Sequence, residues 1–400
     1  MTSNWEMVRL GDIAETLLGK TLPRGAGQTV GGAPYLRNVN VQWGRVDTIQ
    51  LNSMPFDESE RTKYELRRGD LLVCEGGEIG RLAIIDKDMP GVYFQNAIHR
   101  VRANTKVNPW YLALSLEHLV KSGGLEGIST RVTIAHLNQA KLRELPVALP
   151  PLVEQRRIVD LIGALDDAIE AADVVPSIIQ GAKAAIVGHH LIAEHATYID
   201  SIAEVSQGRA LPKDVQGLRT GEISWFKISD MTREPNLFGY SEANTRMTMT
   251  ELAAIGGRLV PVGAVVFPRV GAAVLTEKKR IMDTSGALDE NHLILTPKSE
   301  GTSEVLLAAV ERLELSSLVQ AGAVPSLNIK LIRATKLPWA KAADLPVLNQ
   351  LCAAARQAID SASARAESLR TLRAELLTSL LSGAHTIPES YDELLEAVDA

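Results

Sequence analysis

Apolar residues recur at alternating steps of four and three along two long stretches of the chain, residues 149–194 and 345–381. Such a heptad seam is typical of a helix that packs against another helix along its length. The seam positions are Ile158, Ile162, Leu165, Ile169 and Ala172 in the first stretch, and Leu348, Cys352, Ala355, Ile359, Ala362, Ala366, Leu369, Leu376 and Leu380 in the second. Arg373 interrupts the second seam. We predict two helices of about 40 residues, roughly 60 Å each, that pack together.

The region of about 150 residues before each long helix has the shorter apolar runs of strands and small helices. The first region predicts strands at 35–41, 70–73, 82–85 and 93–101, and a helix from Asn108-Pro109 to about residue 119. The second predicts strands near 224–229, 264–267 and 292–295, and a helix at 303–315. The pattern indicates an α+β fold. Pro176 should kink or split the first long helix.

The same sequence features appear twice in the same order. Their first and second copies are 19–23 and 208–212, 34–37 and 224–227, 69–73 and 263–267, and 145–146 and 337–338. The separation stays between 189 and 194 residues. This is a duplicated unit of one α+β region and one long helix, much larger than a solenoid repeat.

The net charge of −6 is unevenly distributed. Residues 151–195 carry −4 and residues 344–400 carry −5, while the two α+β regions are slightly basic. A basic surface on these regions is therefore permitted. The two cysteines, Cys74 and Cys352, have no metal or disulfide spacing, and no signal peptide or long apolar span is apparent, so we expect a cytoplasmic protein.

Three motifs are similar to catalytic or metal-binding motifs, but each lacks the surrounding residues or the spacing that such a site requires. Gly19-Lys20-Thr21 lacks the earlier glycine of a phosphate-binding loop, because position 14 is Ala14. Asn108-Pro109-Trp110-Tyr111 imitates an adenine-methyltransferase tetrapeptide without a glycine-rich cofactor loop before it. His189, His190, Glu194 and His195 match no zinc spacing. We therefore predict no catalytic residue and no metal site.

Side chains suited to DNA occur in both regions, several of them alternating along predicted strands. Arg and Asn or Gln can bind guanine and adenine bidentately, while Lys and glycine-loop amides suit phosphates. The candidates in the first region are Lys20, Arg24, Arg37, Asn38, Asn40, Gln42, Arg45, Gly77, Arg81, Gln95, Asn96, His99 and Arg131. Those in the second are Arg209, Lys227, Arg233, Arg269, Lys278, Lys279, Asn291 and His292. We predict that these residues form a DNA-binding surface.

Three motifs together resemble the specificity subunit of a type I restriction–modification enzyme. They are Trp-Glu-Met-Val-Arg-Leu-Gly-Asp-Ile at 5–13, Arg-Gly-Asp-Leu-Leu-Val at 68–73 with Gly76 and Gly80, and Leu-Pro-Pro-Leu-Val-Glu-Gln-Arg-Arg-Ile at 149–158. The last is close to the family's Pro-Pro-x-x-Glu-Gln entry into its central helix, and it is fairly specific. The resemblance covers residues 5 to about 384.

The resemblance implies two target-recognition domains, each reading one half of a bipartite double-stranded DNA site, held apart by an antiparallel coiled coil. The implied divisions are 1–150 and 196–343 for the two domains, 151–195 for the central helix, 344–384 for the distal helix and 385–400 for an acidic tail. It implies that two DNA methyltransferase subunits and restriction (motor) subunits dock on this chain, with no membrane partner. S-adenosylmethionine, ATP and Mg²⁺ would then belong to those subunits, and this chain would be non-catalytic and hold no cofactor.

Glu154, Gln155, Arg156 and Arg157 are the docking residues that the resemblance suggests. The second copy has Asn349-Gln350 where the first has Glu154-Gln155, so we expect unequal docking sites.

Two alternatives remain open: the recognition subunit of another methylation-based phage-defence system, and a coiled-coil interaction scaffold that does not bind DNA. The Arg/Asn/Gln pattern in both copies favours DNA recognition, because a pure scaffold does not need it.

The long helices should set the spacing between the two half-sites. Removing one heptad from each helix at matching levels keeps both seams in phase and shortens the pair by about 10 Å. That is about three base pairs at ~3.4 Å each. The preferred spacer should shrink while both half-sites persist, as sequencing of methylated adenines would show. A folded double-deletion variant that methylates at the original spacing would contradict this.

Overall fold

The computed structural model describes residues 5–22, 32–125, 136–213, 215–320, 322 and 324–393. The chain divides into two compact units. Unit 1 comprises Met1–Glu170 and Glu367–Ala400, and unit 2 comprises Ala171–Ala366. Each unit therefore contains one α+β region and a part of each long helix.

Unit 1 contains short strands and helices that precede the first long helix in the sequence. Its strands are β1 (Glu6–Arg9), β2 (Ala14–Leu18), β3 (Ala33–Leu36), β4 (Val41–Gln42), β5 (Arg45–Val46), β6 (Asn52–Met54), β7 (Asp70–Cys74), β8 (Leu82–Ile84), β9 (Tyr93–Phe94), β10 (Ile98–Ala103) and β11 (Pro146–Leu149). Its helices are α1 (Leu10–Ile13), α2 (Glu58–Lys63), α3 (Pro109–Lys121), α4 (Gln139–Arg143) and the first part of α5 (Leu152–His190).

Unit 2 continues from α5 with a second set of elements. Its strands are β12 (Ile192–Tyr198), β13 (Ala203–Gln207), β14 (Ile223–Phe226), β15 (Gly239–Tyr240), β16 (Thr245–Met247), β17 (Val265–Pro268), β18 (Arg280–Met282), β19 (Gly286–Leu288), β20 (His292–Pro297), β21 (Val319–Gln320), β22 (Ser326–Leu327) and β23 (Lys336–Trp339). Its helices are α6 (Ile199–Ile202), α7 (Met249–Ala254), α8 (Ser303–Glu311), α9 (Ile329–Ala334) and the first part of α10 (Leu345–Leu381).

The two units pair their strands in the same way. The main sheet has the order β2-β10-β7-β8 in unit 1, and unit 2 repeats it as β13-β20-β17-β18 with β15 added at the edge. A three-stranded sheet is β6-β3-β9 in one unit and β16-β14-β19 in the other, each with one parallel pair. The ribbons β1-β11 and β12-β23 also correspond. The predicted α+β repeat is confirmed.

The two long helices pack together in the antiparallel sense, as predicted. In unit 1 the start of α5 and the end of α10 share a core through Ile158, Ile162, Leu377 and Leu380. The core of unit 2 contains the end of α5 and the start of α10, among them Val187, Leu348 and Cys352. The two apolar seams pack against each other because this removes the apolar surface of both helices from water.

Arg373, which interrupts the second seam, has a structural role in unit 1. Its Nε atom donates to Asp166 Oδ1 at 2.5 Å, and its Nη2 atom lies 3.5 Å from Glu117 Oε2. The arginine thus connects α10 to both α5 and α3. A half-buried cation at this position is tolerated because two carboxylates neutralise it.

Some predictions about local structure are wrong. Of the two predicted effects of Pro176, the split is wrong, because α5 runs as one helix of 39 residues through it, and the kink stays a prediction. The strand predicted at 35–41 ends at Leu36 and gives way to a 3₁₀ turn, Asn38–Asn40. The strand predicted at 93–101 is divided into β9 and β10, because Ala97 adopts a left-handed conformation with φ of 68°. The candidate side chains of these segments therefore lie on turns as well as strands.

The helix at Asn108-Pro109 forms as predicted. The Asn108 side chain accepts from the Trp110 and Tyr111 amides, which are unsatisfied donors at a helix start, and Pro109 lacks an amide N–H there. None of the helices in the described part of the chain is long and apolar enough to cross a membrane.

Candidate nucleic-acid interface and docking surface

In both units a glycine brings two chain segments unusually close. A Cβ atom on Gly19 would lie 2.2 Å from the Gln95 carbonyl oxygen, and one on Gly208 would lie 2.1 Å from the Asp289 carbonyl oxygen. Only glycine fits such an approach. Backbone packing at this crossing therefore explains the glycine of the Gly-Lys pair that imitated a phosphate-binding loop.

Next to this crossing, the residue after each glycine has a different environment. The Nζ atom of Lys20 donates to Glu60 Oε2 at 2.5 Å and to the Pro55 carbonyl at 2.8 Å. Arg209, its counterpart in unit 2, is exposed. Among the candidates at this crossing, Arg209 is thus the more accessible cation.

A 3₁₀ turn after the first strand of the three-stranded sheet is held in the same way in both units. The Arg37 amide donates to Asn40 Oδ1 at 3.0 Å, and the Lys227 amide donates to Asp230 Oδ2 at 2.8 Å. Asn40 also donates from Nδ2 to the Asp47 and Gln50 carbonyls. Asn40 is 4% exposed, so it organises the loop and is removed from the DNA candidates.

Three candidates of unit 1 that are distant in sequence converge beside the glycine loop. Asn38 Nδ2 donates to the Gly76 carbonyl at 3.1 Å, and Arg81 Nη2 donates to the Asn38 carbonyl at 2.8 Å. Gly77, with φ of 76°, is exposed at the tip of this loop. The side chains of Asn38 and Arg81 are thereby held in place before any ligand binds.

Two further sets of candidates in unit 1 lie on turns. Gln42 and Arg45 face each other across the β4–β5 hairpin, where Gln42 Nε2 donates to the Val39 carbonyl and Arg45 is exposed. Gln95 and Asn96 precede Ala97 in the turn between β9 and β10, and both are half-buried. Arg24 and Arg131 lie outside the described residues.

In unit 2 the half-buried candidates are anchored by short contacts. Lys227 Nζ lies 5.6 Å from the centre of the Trp225 ring, and Arg233 Nη1 lies 3.8 Å from Asp230 Oδ1. Arg269 Nε donates to the Glu290 carbonyl, and the amide of Arg269 donates to the Asn291 carbonyl. Asn291 and Lys278 are half-buried. Of these residues, Lys227 and Arg233 flank the 3₁₀ turn Ile228–Thr232.

Three other candidates are buried and are also removed from the DNA candidates. His99 is fully buried, its Nε2 atom lies 2.9 Å from the Leu137 carbonyl oxygen, and burial lowers its pKa. Lys279 is 9% exposed and donates to Glu277 and to the Leu313 carbonyl. His292 is also fully buried. A polar residue in the interior needs internal partners, and these residues have them.

His292 belongs to a buried polar chain that holds the loop before β20. Its Nδ1 atom lies 2.7 Å from Asp289 Oδ1, and its Nε2 atom lies 2.7 Å from the Tyr240 hydroxyl. Burial alone would raise the pKa of Asp289, but the hydrogen bond and charge of His292 hold this pKa below its usual range. Burial raises the pKa of Tyr240. These hydrogen bonds among Asp289, His292 and Tyr240 thus fix the loop that carries Asn291.

The prediction that Glu154, Gln155 and Arg157 form a docking surface is corrected by their burial. Gln155 is fully buried, and it accepts from the Asn108 amide at 2.7 Å while donating to the Pro150 and Lys106 carbonyls. Glu154 accepts from the Ile387 amide. Only Arg156 of the four is exposed.

Arg157 connects α5 to the tail of the chain. Its guanidinium makes a bidentate pair with Asp392, with distances of 2.9 and 2.6 Å. This pair raises the pKa of Arg157 and lowers that of Asp392. The tail, for which the sequence suggested no role, is therefore attached to the first turns of α5.

Unit 2 repeats the Gln155 contact with a different residue. Asn349 Oδ1 accepts from the Glu304 amide at the start of α8 at 2.9 Å. The motif comparison aligned Gln155 with Gln350, whereas the structure pairs it with Asn349. This equivalence also aligns Val153 with Val347, and both valines are strongly exposed. The sequence analysis did not single out these valines, because each lies before the first seam position of its helix, Ile158 or Leu348.

Comparisons with known proteins fit this duplicated architecture. Residues 2–173 match the family model described as type I restriction modification DNA specificity domain. The chain is 24% identical over 267 residues to the putative type I restriction enzyme MjaX specificity subunit of Methanocaldococcus jannaschii, covering 64% of this chain and 61% of the relative. It is 25% identical over 195 residues to the type I restriction enzyme EcoEI specificity subunit of Escherichia coli, covering 45% and 31%. The chain thus spans less than two thirds of these relatives.

Solved structures show the same fold. The S subunit of a type I restriction–modification system from M. genitalium has a TM-score of 0.60 at 15% identity, covering 94% of this chain and 96% of that one. A chain from a structural study of type I R-M system assembly has a TM-score of 0.55 at 14% identity, covering 94% and 97%. The fold is thus that of type I specificity subunits. The match of residues 2–173 to the type I restriction modification DNA specificity domain agrees with the resemblance inferred from the motifs.

Gln155→Ala should destabilise unit 1 by about 1–3 kcal/mol, because it removes a fully buried side chain that is the acceptor for the half-buried Asn108 amide. Arg156→Ala, one position away and exposed, should change stability by less than about 0.5 kcal/mol. Hydrogen exchange at the start of α3 and the thermal midpoint of the full chain would measure both. If the two substitutions changed the stability equally, the Gln155 hydrogen bond would make no specific contribution to the stability of unit 1.

Proposed function

We propose that this chain is the non-catalytic DNA specificity subunit of a type I restriction–modification complex, and that each unit recognises one half of a bipartite target. The observation that carries the proposal is the duplicated unit, with the same sheet order in both copies and a match to the DNA specificity domain in the first. One recognition domain repeated within a chain is suited to two DNA segments rather than one.

The accessible candidates in each unit have the chemistry that DNA recognition requires. Arg45 and the Gly77 loop of unit 1 are exposed, as is Arg209 of unit 2. Half-buried residues beside them, such as Arg81 and Lys227, are already positioned by contacts within their own unit. Guanidinium groups bind phosphates and guanine edges, and preorganised side chains lose less entropy on binding. The remaining candidates therefore suit a protein–DNA interface.

Methylation and DNA movement would come from partner subunits. DNA methyltransferase subunits would supply S-adenosylmethionine, and restriction subunits would supply ATP and Mg²⁺ chemistry. Because Glu154 and Gln155 are buried, a partner would instead contact the exposed apolar positions at the start of the long helices. Val153 is 57% exposed and Val347 is 67% exposed. Their equivalence in the two units supports two copies of one partner.

Exchanging residues 196–343 for the equivalent segment of a homologue should change one half of the methylated target and leave the other intact. Methylated-adenine sequencing of cells that also contain the partner subunits would measure this. A change in both halves, or in neither, would rule out modular recognition. As a control, the purified chain alone should incorporate no labelled methyl groups into DNA; incorporation would show that the chain is itself catalytic.

Val153→Asp and Val347→Asp should each weaken binding of a methyltransferase subunit about tenfold, since burying one valine contributes ~1.5 kcal/mol. The matched control is Val174→Asp, at an exposed valine in the middle of α5. Co-purification and calorimetric titration with the partner would report the change. If the control weakened binding as much as the two variants, docking at the helix starts would be wrong.

A further inference from the structure

Unit 2 contains an open cavity of about 540 Å³ against one face of its main sheet. Four side chains on β13 and β20 line it, and they are paired as Glu204 with Thr296 and Ser206 with Ile294. Residues two apart in a strand face the same side of a sheet. This sheet face is therefore only partly covered by side chains of its own unit.

The same face of unit 1 is filled by arginines. The equivalent pairs are Glu15 with Arg102 and Leu17 with Arg100. Arg100 is 4% exposed and donates to the carbonyls of Lys63, the last residue of α2, and of Glu65. Arg102 makes a bidentate pair with Asp70. Unit 2 has Ile294 and Thr296 instead of the two arginines, so the volume that they would fill stays open.

The charges around this face differ between the units. In unit 1, Lys20 pairs with Glu60 at 2.5 Å and Arg67 pairs with Glu65 at 2.7 Å. In unit 2, the cavity is lined by Arg209, at the position of Lys20, and by Arg258, which follows the start of α7 as Arg67 follows the start of α2. Within the described ranges neither arginine of unit 2 has an ion pair. By the same alignment the equivalents of Glu60 and Glu65 are Glu251, whose carboxylate is hydrogen-bonded to Thr248, and Gly256, so neither supplies the ion pair that it supplies in unit 1.

Two further charged residues line the cavity. Arg333 donates to the Val205 carbonyl at 3.0 Å and lies 3.6 Å from Asp200 in an exposed pair. Glu204, also exposed, is the one acidic side chain among the described lining residues. With Arg333 paired to Asp200, the guanidinium groups of Arg209 and Arg258 face one carboxylate, that of Glu204, and the cavity lining carries an excess of positive charge. A cationic ligand is therefore disfavoured, although a guanidinium occupies the equivalent volume in unit 1.

The floor of the cavity is apolar, with Ile255, Val260, Leu288 and Ile294 among its lining residues. Guanidinium groups bind phosphate oxygens in a bidentate manner, and an apolar floor suits a planar ring. The volume lies within the range of small-molecule sites, about 300–1,000 Å³. We propose that unit 2 has a binding site for a nucleotide-sized organic phosphate, which unit 1 lacks. This goes beyond the DNA-specificity function, and of the three arginines that line the cavity only Arg209 is also a DNA candidate.

The test is calorimetric titration of the full chain with AMP, with inorganic phosphate and with adenosine. AMP should bind saturably at one site per chain, and adenosine at least tenfold more weakly because it has no phosphate. The double variant Arg209→Gln/Arg258→Gln should weaken AMP binding at least tenfold. Ser206→Leu, which places the leucine of unit 1 in the cavity, should weaken it as well. Arg67→Gln is the matched control in unit 1 and should leave it unchanged.

No saturable AMP binding at millimolar concentration, or equal binding by the double variant, would overturn the proposal. Preferential binding of guanidinium over AMP would also overturn it. Circular dichroism and the thermal midpoint establish that each variant is folded. A duplex DNA competitor distinguishes the source of the phosphate: displacement of AMP assigns the site to a DNA phosphate, and its absence assigns the site to a free nucleotide. Loss of DNA recognition by the chain would not affect the AMP result.

Discussion

Each unit contains a hydrogen bond that couples the beginning of a long helix to the start of a domain helix. Gln155 makes it to the Asn108 amide in unit 1, and Asn349 makes it to the Glu304 amide in unit 2. An amide at a helix start has no partner within its own helix, so it needs an acceptor from elsewhere when it is buried. The contact therefore couples an α+β region to the helix that follows it. Because glutamine and asparagine both provide an amide oxygen, the second copy keeps the contact despite its changed motif.

Polar residues near the candidate interface fall into two groups with different physical roles. Asn40, Asp230, Asp289 and His292 are buried and satisfy backbone or side-chain partners, so they determine the shape of the loops. Arg45, which follows the turn held by Asn40, and Arg209, which follows β13, are exposed. A loop fixed by internal hydrogen bonds holds its exposed cations in place, which reduces the entropy lost on binding DNA.

The two units have diverged on the sheet face that contains Arg100 in unit 1. There a buried guanidinium is neutralised and hydrogen-bonded within its own unit. In unit 2, Ile294 replaces it, and arginines from neighbouring loops line the open cavity. The duplication preserved the backbone because strand pairing depends little on side-chain charge, while the charge pattern on one face was free to change. The two copies thus share a fold but not all of their surface chemistry.

The sequence by itself determined the repeat, the α+β class and the two packed helices, because these follow from periodicity and from motifs that are local along the chain. It also indicated the resemblance to type I specificity subunits, through the Pro-Pro-x-x-Glu-Gln motif at the start of α5. Only the tertiary structure decided which polar residues face solvent. His99 and Gln155 have side chains typical of DNA contact and subunit docking, yet both are fully buried. Their partners, Leu137 and Asn108, are 38 and 47 residues away in the chain, and no local pattern indicates such pairing. Burial depends on what packs over a residue, and that is a property of the folded chain.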